Sequence, residues 1–478
     1  LNFEAKKIAF PTPDMEKSTL LALTRSFSPI EIREVRKFLQ SPFFNQRQDV
    51  LLLFEHLIAT SDSSKEDAWD KIFGKETPFD DQKLRLLMSY LQGLLEQYLS
   101  VKELLSDHLG AQIQLAAAYR RRNMPAAFDR VRKNLDKGIE AQPLRNATYH
   151  ERRYLLHWEA HQVAYVQNPT DVSLLRSASK SVDAAFLAKK LQIVCLLAAH
   201  QTVYKSDAEE AWEEALVERT EQSEFAQLPA VAVYLHCFRM LQKPAEEIHF
   251  QRFKSTLINE GDCFSGDELH GLFILAINYC VRRLNAGDLG YYREALDLYK
   301  EGLAKNHLLE EGVLSRFTYH NVVAAGLQVG DLEWVRFFIH EYKNRLERRY
   351  RESAFSFNLA RLAYAERNHH HVLELLQKAN YRDPLHNLAA KTLLLKTYFE
   401  LNELDTLQSL LDAMRNYIQR KRVLGYHRTN YLNIIRYAEK ILRLLPRDRK
   451  AAEALQAALE KEEVLTEKVF FQKILESR

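Results

Sequence analysis

Ser353 to His386 reads SAFSFNLARLAYAERNHHHVLELLQKANYRDPLH. Two helices' worth of sequence share this short stretch: Leu359 and Ala360 sit in the first, a polar turn follows at Arg367 to His370, and Leu376, Ala379 and Asp383-Pro384 mark the second. A helical hairpin of this size cannot bury its apolar face alone, so copies of it must stack, and stacked hairpins form an open solenoid that offers a groove to a partner. The stretch therefore predicts an architecture before it predicts an activity.

Composition agrees with an all-helical chain. Glycine is scarce, 14 of 478 residues, and proline numbers 12, which leaves little room for turn-rich β structure or flexible linkers. Apolar residues make up 46% and charged residues 27%, enough to fold a core and to keep the chain from being disordered except at its ends. The longest weakly polar runs, Leu191 to Ala199 and Leu272 to Val281, fall short of the about 20 apolar residues that span a bilayer, so no membrane partner is expected. Cys195, Cys237, Cys263 and Cys280 are spaced 42, 26 and 17 residues apart, unlike a zinc knuckle or a disulfide framework. Free thiols and a cytoplasmic location are expected. Residues 1–17 read as a disordered or non-native extension, with Met15 as the expected native start.

The first clear helix start is Phe27-Ser28-Pro29-Ile30-Glu31-Ile32. Ser28 can accept from the third amide while Glu31 reaches back, Pro29 presets φ, and Phe27 can staple onto Ile32. That helix should stop before Pro42, because the residue preceding a proline is pushed out of the helical region. Further helices are expected from about Arg47 to Ile58, Lys65 to Phe73 and Asp80 to Leu105, forming an N-terminal helical bundle over 18–106. Helices of 14 to 24 residues follow, broken at joints such as Asn123-Met124-Pro125, Gln167-Asn168-Pro169-Thr170, Lys243-Pro244 and Asn285-Ala286-Gly287-Asp288. Joints this short force neighbouring helices antiparallel. Degenerate hairpin repeats are expected over 107–270 and more regular ones over 271–478.

In the second half, Leu275, Ala276 and Tyr279 answer Ala295, Tyr299 and Gly302; Tyr319, Val322 and Val323 answer Gly330, Val335 and Ile339; Leu394, Leu395 and Tyr398 answer Leu407 and Leu411. These positions resemble the tetratricopeptide repeat, most closely over Ser353 to Met414, more loosely over Leu272 to Tyr342 and generically before that. Ala276, Val323, Ala360 and Leu395 are spaced 47, 37 and 35 residues apart, against about 34 in that family. The chain departs from the pattern at Ala363, where an aromatic is usual, and at Val372, where alanine is usual.

The resemblance implies that first helices line a concave face and that their free positions contact the ligand. By register these are His320 and Asn321, then Phe357, Asn358, Arg361 and Tyr364, then Thr392, Lys396 and Phe399. Amides, rings and cations together suit an extended peptide, in which they meet backbone, apolar side chains and carboxylates respectively. The lysine and asparagine pattern of the members that grip chaperone tails is not reproduced.

A second feature lies between Arg415 and Lys450. Eleven basic residues (Arg415, Arg420, Lys421, Arg422, Arg428, Arg436, Lys440, Arg443, Arg447, Arg449 and Lys450) face Glu439 and Asp448, a net of +9 in a chain of net +3. Such concentration attracts anions. Tyr417, Tyr426, His427, Tyr431 and Tyr437 are interleaved, as in proteins that stack single-stranded nucleic acid. The alternative is that acidic faces, including Glu460, Glu462, Glu463 and Glu467, dock onto it.

His150, His157 and His161 would share one face of a helix, but their order is not the His-Glu-x-x-His of zinc peptidases and Tyr154 and Tyr165 continue the stripe, which reads as packing. No metal or cofactor is expected. The sequence has no glycine-rich phosphate loop, nucleophile elbow or kinase loop, so no enzyme is expected. The expected function is a non-enzymatic scaffold that binds a peptide segment of a protein partner, an acidic partner being the one that the basic segment suits. Nucleic-acid binding by 415–450 and a peptide-responsive regulator are the alternatives.

Overall fold

The computed structural model describes residues 18–60, 64–204, 210–377, 383–421, 425–445 and 449–476. The expected extension at 1–17 with Met15, and the positions Ala379, Arg422, Arg447 and Asp448, lie outside the described residues. Among the described residues there are 23 α-helices, a few short 3-10 turns and one two-stranded hairpin, so the chain is all-α.

The chain divides into two compact units, 1–142 with 148–182, and 143–147 with 183–478. The first holds α1 (Thr19–Ser26), α2 (Pro29–Gln40), α3 (Gln48–Ala59), α4 (Lys65–Phe73), α5 (Asp81–Ser106), α6 (His108–Arg121), α7 (Pro125–Ala141) and nearly all of α8 (Ala147–Gln167). The helix α9 (Ser173–Tyr204) contributes residues up to Val182 to the first unit and from Asp183 on to the second.

Local signals set most of the boundaries in the first unit. The Ser28 hydroxyl accepts from the Glu31 amide at 3.3 Å while the Glu31 carboxylate accepts from the Ser28 amide at 2.8 Å, closing a capping box ahead of Pro29. Ser18 caps a further helix, α1, that precedes the first start legible in the sequence. Leu20, Val35, Leu39, Val50, Leu53, Phe54, Leu87, Leu91 and Leu95 form one core among α1, α2, α3 and α5. Ile113, Phe128, Val131, Leu135, Ile139 and Leu156 form another among α6, α7 and α8.

The second unit continues with α10 (Glu210–Glu221), α11 (Pro229–Gln242), α12 (Glu247–Asn259), α13 (Gly266–Asn285), α14 (Tyr291–Ala304), β1 (Leu309–Glu310), β2 (Val313–Leu314), α15 (Arg316–Val329) and α16 (Leu332–Glu341). It ends with α17 (Arg351–Ala365), α18 (His369–Gln377), α19 (Pro384–Glu400), α20 (Leu404–Arg420), α21 (Gly425–Leu442), α22 (Arg449–Glu460) and α23 (Lys468–Glu476). From α11 to α21 nearly every helix packs on the next in sequence, the solenoid-like order of a helical repeat. In addition α11 packs on α13, α15 on α17, α17 on α19 and α21 on α23. These pairs two helices apart are all odd-numbered. Helix lengths vary more than the sequence joints imply: α9 runs 32 residues, α16 only 10 and α18 only 9.

Four hairpins of the second unit close by one repeated device, which α11–α12 does not use. Gly287, Gly330, Arg367 and Asn402 each adopt a left-handed φ, between +55° and +95°, just after an odd-numbered helix. The next residue's amide then bonds five residues back: Asp288 to the Arg283 carbonyl at 3.1 Å, Asp331 to Gly326 at 3.0 Å, Asn368 to Ala363 at 2.9 Å and Glu403 to Tyr398 at 3.0 Å. This is the Schellman closure, which satisfies carbonyls orphaned at the helix end and reverses the chain. Asn123 does the same between α6 and α7 in the first unit, where Met124 bonds Tyr119 at 3.0 Å. Ala276, Val323, Ala360 and Leu395, the spaced first-helix positions, are all fully buried.

The closure gives a direct stability test. No atom lies near where a Gly330 Cβ would sit, so Gly330→Ala should cost only the left-handed strain, about 1 kcal/mol. Arg367→Gly relieves that same strain and should gain about 0.5 to 1 kcal/mol. Urea midpoints of the two variants moving in opposite directions is the expected result; no shift in either would remove the left-handed residue from the account of hairpin closure.

Candidate interaction face on the odd-numbered helices

The positions assigned to the groove come from α15, α17 and α19, which pack side by side. At their centre is Asn358, fully buried on α17. Its Nδ2 donates to His320 Nδ1 at 2.7 Å and to the Ala354 carbonyl at 2.8 Å, which leaves Oδ1 to accept from Arg361 Nη1 at 3.2 Å. Arg361 Nη1 also donates to the His320 carbonyl at 3.0 Å. One amide therefore holds both a histidine ring and a guanidinium in place.

Since the His320 Nδ1 accepts, the proton of the neutral ring belongs on Nε2, an assignment that follows from the network. That Nε2 is buried without a hydrogen-bond partner. The His320 ring lies 5.6 Å from Phe357 and 4.7 Å from His386, and Phe357 lies 4.7 Å from His386. Burial, reinforced by the facing His386, pushes the His320 pKa down to about 3, and burial pushes His386 down to about 4. Both rings are neutral near pH 7. Burial also lowers Arg361 to about 10, opposed by Glu467, so the guanidinium keeps its charge. Among the described residues no carboxylate comes within ion-pair distance of Arg361.

The other cations of this face are compensated. Lys396 Nζ lies 3.0 Å from the Glu467 carboxylate and over the rings of Tyr364 and Phe470 at 5.3 and 5.2 Å. Arg316 Nη2 lies 3.4 Å from Asp383, which also caps α19 through the His386 amide at 2.9 Å. Phe399 packs against Phe470 and Phe471 with ring centroids 6.0 and 6.5 Å apart. The turn before α23 is held there by the Thr466 amide on Asn430 Oδ1 at 2.8 Å and by Asn433 on the Val464 carbonyl at 2.9 Å. The chain's own Glu467 and Phe470 thus cover the Lys396 end, and the Arg361 end carries the uncompensated charge.

The structure gathers His320, Phe357, Asn358 and Arg361 into one cluster and Tyr364, Lys396 and Phe399 into an adjoining one. Asn321 stands apart, exposed and beside the Tyr299 hydroxyl of α14. Phe357, Asn358 and Thr392 are buried, so they shape the face from beneath and are enclosed by the neighbouring odd helices instead of lining it. His386, Arg316, Asp383 and Glu467 complete the face and were not singled out for it in the sequence. Asp383-Pro384 marks a helix start there, but nothing local connects Glu467 to Lys396, 71 residues away.

The basic segment is not one patch. Arg415 is paired with Glu439, a carboxylate of the segment itself, at 2.6 Å, and Arg436 with Glu462, so of the carboxylates expected to dock from downstream Glu462 does so, whereas Glu467 goes to Lys396 instead. Arg420, Lys421 and Arg428 lie at the end of α20 and start of α21; Arg443, Arg449 and Lys450 lie at the end of α21 and start of α22. Among the described residues none of these six has a carboxylate within ion-pair distance. The two groups are separated by the length of α21, about 27 Å at 1.5 Å per residue. Tyr437 is buried with its hydroxyl on the Ala458 carbonyl at 3.0 Å, whereas Tyr426 is 56% exposed.

On α8 the His161 ring lies beside Trp158 and Tyr165 at 6.1 and 5.8 Å, and His157 Nδ1 lies 3.4 Å from the Ser181 hydroxyl. Among the described residues no three ligating side chains are grouped to hold a metal ion, and no helix is long and apolar enough to cross a membrane. All four cysteines are free, with Cys195, Cys237 and Cys280 buried. No family model matches the chain, and no curated protein or solved structure is significantly similar to it.

The histidine pair carries a pH prediction. An unfolded histidine titrates near 6.5, well above the folded values for His320 and His386. Between these limits the unfolded chain binds protons that the folded chain does not, so stability falls as pH drops from about 6.5, the His386 contribution levelling off below about 4 and the His320 contribution below about 3. Each histidine should cost about 1 to 2 kcal/mol between about pH 7 and pH 5. His320→Gln should lose correspondingly less stability over that interval in urea titrations. An unchanged difference would place the acid sensitivity elsewhere.

Proposed function

We propose that this chain is a non-enzymatic interaction scaffold whose α15, α17 and α19 helices bind a segment of a protein partner carrying an acidic side chain. The observation that carries this reading is Arg361: a charged guanidinium, fixed by Asn358 and the His320 carbonyl, with no carboxylate of its own. A desolvated cation without a counter-ion is costly to maintain and gains most when a partner supplies the anion. The resemblance to tetratricopeptide repeats, in which first helices line the ligand groove, supports the same face. The repeated left-handed closures support repeat architecture, while that particular family assignment remains part of the proposal.

The test compares partner capture from source cells by the wild-type chain and by the Arg361→Gln, Lys396→Gln double variant, with circular dichroism to establish that both are folded. Central hot-spot cations are worth at least about 2 kcal/mol, so recovery of a specific protein should fall by about 30-fold. Equal recovery would rule out this face.

A second reading, nucleic-acid binding, is supported by the six uncompensated cations at the two ends of α21. It would bring log-linear weakening with salt, with a slope near 0.7 per phosphate contact on single strands. Nuclease treatment during the same capture separates the two: partners that survive it favour the scaffold, and partners lost with recovered RNA or DNA favour the basic ends. The separation of those ends and the burial of Tyr437 make this the weaker reading.

A further inference from the structure

The β1–β2 hairpin interrupts the helical order between α14 and α15. Leu309 pairs with Leu314 and Glu310 with Val313, and the turn residues Glu311 and Gly312 both have positive φ, +50° and +80°, the mirror-image turn whose twist suits a two-residue hairpin. Leu314 is fully buried and bridges to Leu346, which ties the hairpin to the loop before α17. Between hairpin and loop lies a cavity of about 590 Å³, lined by Glu310, Glu311, Val313, Arg316, Phe317 and Tyr350 together with Ser315, Glu347 and Arg349. That volume is within the range of small-ligand sites.

Cations and rings alternate along its wall. The Arg349 guanidinium lies 4.6 Å from the Tyr350 ring, Arg316 lies 4.2 Å from that ring and 4.7 Å from Phe317, and Phe317 is 65% exposed. The ladder therefore ends on an aromatic ring with an open side. Charge on the wall is unevenly satisfied. Arg349 pairs with Glu347 at 2.7 Å and Arg316 with Asp383. Glu311 has no hydrogen-bond or ion-pair partner among the described residues, and Glu310, highly exposed, meets only His270 Nε2, at 3.2 Å. Arg345 Nη1 lies 3.8 Å from where a Gly312 Cβ would sit, but Arg345 does not line the cavity.

An open aromatic face lining the same cavity as the unpartnered Glu311 carboxylate is the environment that a guanidinium takes, because a planar cation stacks on the ring while its edge donates to the carboxylate. An anion would meet Glu310 and Glu311 instead. We infer that this cavity binds an arginine side chain of a partner protein, stacked on the outer face of Phe317 and donating to Glu311 and Glu310. The site extends the ladder by one step, Arg349, Tyr350, Arg316, Phe317 and then the partner's arginine. It stands whether or not the α15–α19 face binds an acidic segment.

The test is saturation-transfer NMR titration of the full chain with the peptide acetyl-Gly-Ser-Arg-Ser-Gly-amide and with its citrulline counterpart, which keeps the planar shape and removes the charge. The arginine peptide should bind about five- to ten-fold more tightly than the citrulline peptide. Phe317→Leu, which keeps an apolar side chain but removes the ring, and Glu311→Gln should each bring the arginine peptide down toward the citrulline level. Both residues are exposed, and circular dichroism checks that the variants fold. Equal binding of the two peptides, tighter binding of acetyl-Gly-Ser-Glu-Ser-Gly-amide, or no effect of both substitutions would each overturn the inference. So would concentration-dependent self-association lost in Phe317→Leu without peptide binding, which would assign the cavity to a second copy of the chain.

Discussion

Four hairpins in the second unit, α13–α14, α15–α16, α17–α18 and α19–α20, each turn on a single residue held in the left-handed conformation, followed by an amide that bonds five residues back. A helix that ended without this bond would leave buried carbonyls unpaired, and the following helix would leave at another angle. Gly287, Gly330, Arg367 and Asn402 repeat the same closure, and in the stretch they punctuate α15 packs on α17 and α17 on α19. Glycine meets this demand without strain at two of the four turns; arginine and asparagine carry some strain at the others.

The junction of α15, α17 and α19 is where the polar chemistry collects. Asn358 is fully enclosed and would be costly there without partners, so its three hydrogen bonds tie His320, Arg361 and the Ala354 carbonyl into one arrangement. The network leaves Arg361 charged and immobile, and an immobile charge loses little freedom when it meets a ligand. At the Lys396 end the chain supplies its own carboxylate and ring through Glu467 and Phe470. The two ends of one face are therefore electrostatically different, one satisfied within the chain and one not.

How legible these features are in the sequence depends on how local their causes are. The capping box at Ser28 and Glu31, the stop before Pro42 and the joints at Asn123, Asn168, Pro244 and Gly287 each follow from a few adjacent residues, and the helices begin or end at them. Helix α1 escaped because Ser18 is its only strong local mark, and the hairpin at Glu311-Gly312 because two residues per strand show no alternation. The basic segment reads as one patch in sequence because its residues are consecutive. In space α21 separates them, and Glu439 and Glu462 neutralise its middle.

By itself the sequence determined an all-α chain of antiparallel helical hairpins, because apolar spacing, caps and left-handed turn residues act over one or two turns of helix. The resemblance to tetratricopeptide repeats implied first-helix positions for His320, Asn358 and Arg361, which lie on α15 and α17. Only the tertiary structure decided that Asn358 is enclosed, that Lys396 is ion-paired with Glu467 while Arg361 has no carboxylate at ion-pair distance among the described residues, and that Phe317 ends a cation and ring ladder in the cavity that Glu311 also lines. Those outcomes depend on burial and on charges tens of residues apart, and both are set by how helices stack, which no local pattern encodes.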